Sequence, residues 1–178
     1  IVDMVHEDLT PSKIMTKEAF ENAILVASAI GASSNCPPHL TAIARHMGLK
    51  LDIENWQTLG HDIPLLVNCQ PAGEHLMERF YRAGGVPAIM QELLKNNKLH
   101  KNALTVSGKT VEENLKIKID VDSDVIKSFE NPLVENAGYI VMRSNFFSSA
   151  VMKTSVISDE FRKRYLSDPK NKNVFEAN

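Results

Sequence analysis

The chain has 178 residues, 43% of them hydrophobic and 24% charged, with a formal net charge of −2; this is the balance of a soluble globular protein of one large or two small domains. Such a charge gives no global electrostatic case for nucleic acid or anionic membrane, no apolar run reaches the length of a bilayer span, and the acidic start IVDMVHEDLT is unlike a signal peptide. The two cysteines, Cys36 and Cys69, form no CxxC and have no second pair for a tetrahedral zinc site, so reduced thiols in a cytoplasmic protein are expected.

Thr16 is a good N-cap for a helix over KEAFENAILVASAI, with Glu18 in its first turn and Gly31 as its stop. From Ala23 to Ile30 this helix is apolar or small on every side, so it is expected to be buried all round. The run GASSN follows, and Pro37 and Pro38 then fit only the first turn of a second helix, where a missing N–H costs nothing. That helix runs through HLTAIARHM to Gly48, a C′ residue. Asp52 is placed to cap a short helix, IENWQTL, closed by Gly60. IPLLVN reads as a short buried strand. The turn CQPAG leads to two helices, EHLMERFYRAGG and VPAIMQELLKNN, divided at the Gly-Gly pair. ALTV reads as a strand, and Thr110 as the cap of VEENLK.

After about Lys116 the texture changes. KIKIDVDSDVIKSFENP is polar and acidic, and Asn131-Pro132 marks a turn. GYIVMRSN and SAVMKTSVI are β-rich runs separated by a turn at FFS, and SDEFRKRYLS is a last helix capped by Ser158. These features place a domain boundary between about 117 and 131. The second unit is too short to bury a good core alone, so it must pack on the first or be continued by more chain. The first residue is Ile, as expected of a fragment or a processed product.

Several segments are candidates for chemistry. A helix N-terminus carries unpaired N–H groups and positive partial charge, and small residues before it allow a carboxylate or phosphate to approach. GASSN before Pro37 has that form; the alternative is a tight interhelical turn with Asn35 as a plain N-cap. Cys36, at the same terminus, is either a nucleophile or ligand with a lowered pKa or a small core residue, and the absence of neighbouring ligands favours the core role. No HxH or HExxH occurs, and His39 and His46 merely share a helix face. Pro71 to Gly73 form a second small-residue turn ahead of a helix, again either an anion cradle or a plain turn. TAIARHMGLKLDIENW has the outline of a helix-turn-helix, but Asp52 and Glu54 at the start of its second helix repel phosphate.

Taken in order, the segments resemble a known family. GASSNCPPHLTAIARHMGL is similar to the GGSTNA-x-x-H-L-x-A-I-A-R segment of the dihydroxy-acid and phosphogluconate dehydratases. IPLLVNCQPAGEHLMERFYRAGGVPAIMQELL resembles that family's P-x-L-x-x-x-x-P-x-G stretch followed by RAGGVPAV. ALTVSGKTVEENL resembles LTVTGKTLGEN, and NAGYIVMRSNFFSSAVMKTSVISDEFRKRYLSDP resembles the G-x-x-x-L-R-G-N-L segment opening its C-terminal domain. The likeness runs from about Thr16 to Pro169. The wordings HDIPLLVNCQPAGE and MKTSVISDEFRKRYL are closest to the sugar-acid branch, the pentonate dehydratases such as xylonate and arabinonate dehydratase. Within the first motif Ala32 replaces the second Gly, Ser34 the Thr and Cys36 the Ala.

The resemblance implies an α/β fold, with 1–124 the end of the family's helix-rich N-terminal α/β domain and 125–178 the start of its C-terminal, swivelling-type β-barrel domain. It implies a hydro-lyase that removes water from a 2,3-dihydroxy sugar acid to give a 2-keto-3-deoxy acid. The alternatives are the dihydroxy-acid dehydratase of branched-chain amino-acid biosynthesis and a non-catalytic binding or assembly fragment. It implies an iron–sulfur cluster, 2Fe–2S rather than 4Fe–4S, and Mg²⁺, with the ligands and the catalytic base outside this chain, so that the fragment alone is inactive. A cytoplasmic homodimer or homotetramer without nucleic-acid or membrane partners follows from the same likeness. Ser33, Ser34 and Asn35 are then the substrate-side residues, Arg143 and Asn145 lie toward the cleft between domains, and Cys36 is filler.

Overall fold

The computed structural model describes residues 1–161 and residue 163. The order of elements is α1 (Val2–His6), α2 (Pro11–Ile14), α3 (Lys17–Ile30), α4 (Cys36–His46), α5 (Glu54–Gly60), α6 (Met77–Arg82), α7 (Gly85–Lys95), α8 (Val111–Asn114), strands β1 (Tyr139–Met142) and β2 (Ala150–Lys153), a 3-10 turn (Thr154–Val156) and α9 (Asp159–Phe161). The result is a mixed fold in which helix dominates and one antiparallel pair is the described sheet. Among the described residues no helix is long and apolar enough to cross a membrane.

Helix α3 is the axis of the molecule. The Thr16 hydroxyl accepts from the Ala19 N–H at 3.4 Å, and Gly31 closes the helix in the left-handed region at φ 67°. There Gly31 N donates to Ser28 O and Ala32 N to Ala27 O, the pair of bonds that ends a helix when the next residue can take positive φ. The all-round apolar sequence has its explanation in two cores, one on each side. Leu25 and Ala29 join Leu66, Val67, Phe80, Ile89 and Leu93 in one cluster. Phe20, Ile24 and Ala27 join Ala44, Leu51, Trp56 and Tyr139 in the other. Asn22, buried between these faces, uses its side-chain amide to bond both the N–H and the carbonyl of His100 at 2.8 and 3.1 Å.

Three expected elements take other forms. IPLLVN is buried throughout, but it is an extended segment held by single bridges, Leu65 to Val134 and Val67 to Ile126. Its partners arrive from different directions: Leu65 N donates to Val134 O, Asn68 N to Val125 O and Leu66 N to Ala29 O at the end of α3. A continuous ladder needs one neighbour running alongside, and here there are three. ALTV is likewise a turn with a single Leu104–Thr110 bridge rather than a strand. The helix expected from Glu74 begins at Met77, because the His75 backbone exchanges bonds with Asn68 and Gln70.

Other local readings stand, except the cap expected of Asp52. Thr110 and Glu113 form a reciprocal capping box at the start of α8, and Gly48 has φ +72° after α4. Asp52 caps no helix with its side chain; its N–H donates to Asn55 Oδ1 at 2.8 Å. The two β-rich runs pair antiparallel, with Tyr139 opposite Lys153 and Met142 opposite Ala150. Ser158 Oγ accepts from Phe161 N at 3.2 Å at the start of α9, and the rest of the expected last helix lies outside the described residues.

The hairpin rests on α5, and small residues set the contact. Helix α5 lies between α3 and β1, with Trp56 wholly buried and its ring edge-on to Tyr139 at 4.9 Å. A methyl group on Gly60 would meet Ser28 Oγ of α3 at 2.5 Å, and one on Gly138 would run into the Gly60 carbonyl. Gly138 N donates to His61 O, and Thr154 N returns to Gly138 O.

Candidate functional site

The loop from Gly31 to Asn35 joins two helices that meet beside the hairpin. Ser33, Ser34 and Asn35 are all exposed. The Asn35 N–H donates to Ser33 Oγ at 3.2 Å, and Cys36 N donates to Ser33 O at 3.0 Å. Asn35 stands at the N-cap position of α4 with helical backbone angles and makes no side-chain cap bond, so the plain N-cap reading does not describe it. The Asn35 amide and the Ser34 hydroxyl therefore carry no intramolecular bond among the described residues.

The structure changes what this terminus can offer. Of the first three positions of α4, Pro37 and Pro38 have no N–H, and the Cys36 N–H is already bonded to Ser33 O. A cradle of free backbone N–H groups is thus absent from the start of α4. What remains are two hydroxyls and one carboxamide ahead of the 11-residue helix. This set offers short-range hydrogen-bond donors and acceptors to a polar ligand.

The carbonyl side of the loop faces the hairpin. Lys153 Nζ donates to Gly31 O at 2.9 Å. The Tyr139 hydroxyl lies 2.8 Å from Ala32 O and 3.3 Å from Ser33 O. Burial pushes the Tyr139 phenol well above its ordinary range, so it stays a donor. Burial also lowers the Lys153 ammonium below its ordinary value. Neither residue stands out in the sequence, because GYIV and VMKT read as ordinary strand alternation. Only the pairing of Tyr139 with Lys153 brings them to one loop 106 or more positions away.

Cys36 is partly buried against the second core cluster, and burial raises its thiol, with Lys153 acting in the opposite direction. A thiol held protonated fits the filler role and not that of a nucleophile. Cys69 is buried in the first cluster and raised for the same reason. Arg143 pairs with Glu54 of α5, and Asn145 Oδ1 accepts from Ser144 Oγ at 3.4 Å, both in the exposed turn of the hairpin. No hydrogen bond joins Arg143 or Asn145 to Ser33, Ser34 or Asn35 among the described residues. The Pro71–Gly73 turn packs tightly on Asn68, where a Gly73 methyl would meet the backbone at 2.5 Å. It is separated from α6 by residues 74–76, so it is a turn and not a helix-terminal cradle. Among the described residues no three His, Cys, Asp or Glu side chains converge on a point that could hold a metal ion; these residues do not build a cluster or Mg²⁺ site.

Comparison with known proteins identifies the family. Residues 1–114 match the model of the dihydroxy-acid/6-phosphogluconate dehydratase N-terminal family. The chain is 51% identical over 177 residues to a D-xylonate dehydratase of Caulobacter vibrioides, covering 99% of this chain and 30% of that protein. It is 46% identical over 159 residues to an L-arabinonate dehydratase of Rhizobium leguminosarum bv. trifolii, covering 89% and 28%. A dihydroxy-acid dehydratase of Acetivibrio thermocellus is 41% identical over 161 residues, covering 90% and 29%. The chain thus spans about 30% of the length of the curated relatives it matches. By its sequence over residues 1–114 and the order of its motifs, the chain belongs to the dihydroxy-acid/6-phosphogluconate dehydratase family.

Proposed function

We propose that the full protein containing this chain is a hydro-lyase that converts a 2,3-dihydroxy sugar acid, a pentonate, into a 2-keto-3-deoxy acid. The observation that carries this reading is the 51% identity over 177 residues to a protein named for D-xylonate dehydration. The L-arabinonate relative at 46% supports the same substrate class. In this reaction the C2 proton and the C3 hydroxyl leave as water, and the resulting enol becomes the ketone.

In this reading Ser33, Ser34 and Asn35 bind the acid. Their hydroxyls and amide donate to its carboxylate and hydroxyl oxygens. Arg143 and Asn145 lie toward the cleft between the domain of residues 1–124 and a C-terminal β-barrel domain that begins at 125. An iron–sulfur cluster, 2Fe–2S rather than 4Fe–4S, and Mg²⁺ would stabilise the leaving hydroxyl and the developing enolate. As the resemblance implies, the groups that hold both are assigned to other parts of the full protein. The free thiols Cys36 and Cys69 suit a cytoplasmic setting, and a homodimer or homotetramer is the assembly proposed.

The test is anaerobic turnover by the full protein of D-xylonate, L-arabinonate, 6-phosphogluconate and a branched-chain dihydroxy acid, with keto-acid formation as the readout. Keto acid from a pentonate is the expected result. Turnover of the branched-chain acid alone would move the protein to the amino-acid branch, and no keto acid from any of them with a loaded cluster would overturn the dehydratase reading.

A further inference from the structure

Three consecutive carbonyls, Gly31, Ala32 and Ser33, are held by one cross-strand pair. Tyr139 and Lys153 stand directly opposite each other in the hairpin register. Lys153 takes the Gly31 carbonyl, and Tyr139 takes those of Ala32 and Ser33. Three carbonyls of the last turn of α3 are occupied as well, Ala27 O by Ala32 N, Ser28 O by Gly31 N and Ala29 O by Leu66 N, while Ile30 O accepts no bond among the described residues. The end of α3 is therefore held at Ala27 to Ala29, and the loop after it at Gly31 to Ser33.

The grip is anchored deeply. Tyr139 is 1% exposed and braced edge-on against Trp56, which is wholly buried. Lys153 places a cation at the negative end of a 14-residue helix, where it is favoured. Gly31 leaves no room for slack, since a methyl group there would meet Leu65 Cδ1 at 2.8 Å and Ser155 Oγ at 3.2 Å. With its carbonyls drawn toward the hairpin, the loop presents the Ser33, Ser34 and Asn35 side chains to solvent.

The geometry points to Lys153 as a positioning residue: acting with Tyr139, it holds the Gly31–Ser33 backbone so that Ser34 and its neighbours are pre-set for the sugar acid. This inference rests on the reading of Ser33, Ser34 and Asn35 as substrate-side residues and deepens it. It also gives the hairpin a function, because the part of the chain after residue 138 sets the shape of a loop near residue 33. A loop set in advance loses less freedom on binding, and a displacement of about 1 Å at a substrate contact can cost on the order of 100-fold in rate.

The experiment uses the full protein with its cofactors, D-xylonate as substrate, and a double-mutant cycle between Lys153→Met and Ser34→Ala. Lys153→Met is expected to lower kcat/KM by no more than the about 10-fold that Ser34→Ala itself costs, mostly through KM, with Lys153→Arg restoring it to within a few fold. In the Ser34→Ala background the same Lys153→Met change is expected to cost little more, because the contact it positions is already gone. If Ser34→Ala lowers kcat/KM while Lys153→Met does not, or if the two effects add, the positioning role is overturned and the substrate reading stands. If Ser34→Ala has no effect, the substrate reading fails and the positioning role falls with it. Should Lys153→Met not fold, Tyr139→Phe takes its place in the cycle and must show the same non-additive loss.

Discussion

Gly138 is the residue on which the hairpin turns. A side chain there would enter the van der Waals radius of the Gly60 carbonyl oxygen, and the atoms it would strike are backbone, which cannot swing aside. Gly60 is constrained in turn by Ser28 of α3, so the three elements stack through small residues. Overpacking of this kind costs about 1–3 kcal/mol or more. Gly138→Ala is expected to lose at least about 3 kcal/mol in urea unfolding, and a loss below about 1 kcal/mol would show that the hairpin can shift on α5 at little cost. Gly138 was legible only as part of a motif, NAGYIVMRSN. That its role is close approach of two backbones, rather than a positive φ, depends on Gly60 and could not be read from local sequence.

At the scale of elements, legibility followed locality. Helix α3 was readable because its cap, its apolar run and its terminating Gly31 all lie within 16 residues of one another. The hairpin was readable because alternation and a turn are local signals. The segment 63–68 was readable as buried but not as irregular, since its three partners come from residues 29, 125 and 134. Helices α1 and α2, of five and four residues, are shorter than periodicity can report. The exposed trio Ser33, Ser34 and Asn35 was legible as a small-residue approach to a helix, but the use of its carbonyls was not, because that depends on Tyr139 and Lys153.

The hairpin's grip also has a pH signature. Tyr139 has its folded-state pKa raised by burial, so it favours the fold while both states are protonated. That contribution is present below the ordinary tyrosine value of 10.0 and is lost as pH rises above it. Lys153 acts in the opposite sense. Its lowered pKa means the unfolded chain holds the proton more tightly, so stability gains as pH rises toward 10.5. The phenol is the more buried of the two groups, so the fall should prevail above pH 10. Urea unfolding across that range is expected to show a shallower fall for Tyr139→Phe than for the wild type. Parallel slopes would mean that the phenol is not held protonated by the fold.

On the scale of the whole molecule, two cores share one helix, and the hairpin closes the side of that helix from which the loop emerges. The family and the sugar-acid branch were legible from several short motifs in order, and the family match and the pentonate relatives agree with that reading. The division at residue 124, the barrel domain and the cofactor set remain proposals about the longer protein.

The loop held by the hairpin is proposed as the place where a sugar acid binds. It is tested most directly by steady-state kinetics of Ser34→Ala in the full protein, with thermal unfolding alongside. Ser34 is exposed and makes no side-chain bond among the described residues, so stability should stay within about 0.5 kcal/mol of the wild type. The kcat/KM for the pentonate is expected to fall about 10-fold, as loss of a hydrogen bond to a charged group would give. An unchanged kcat/KM with an unchanged fold would contradict it.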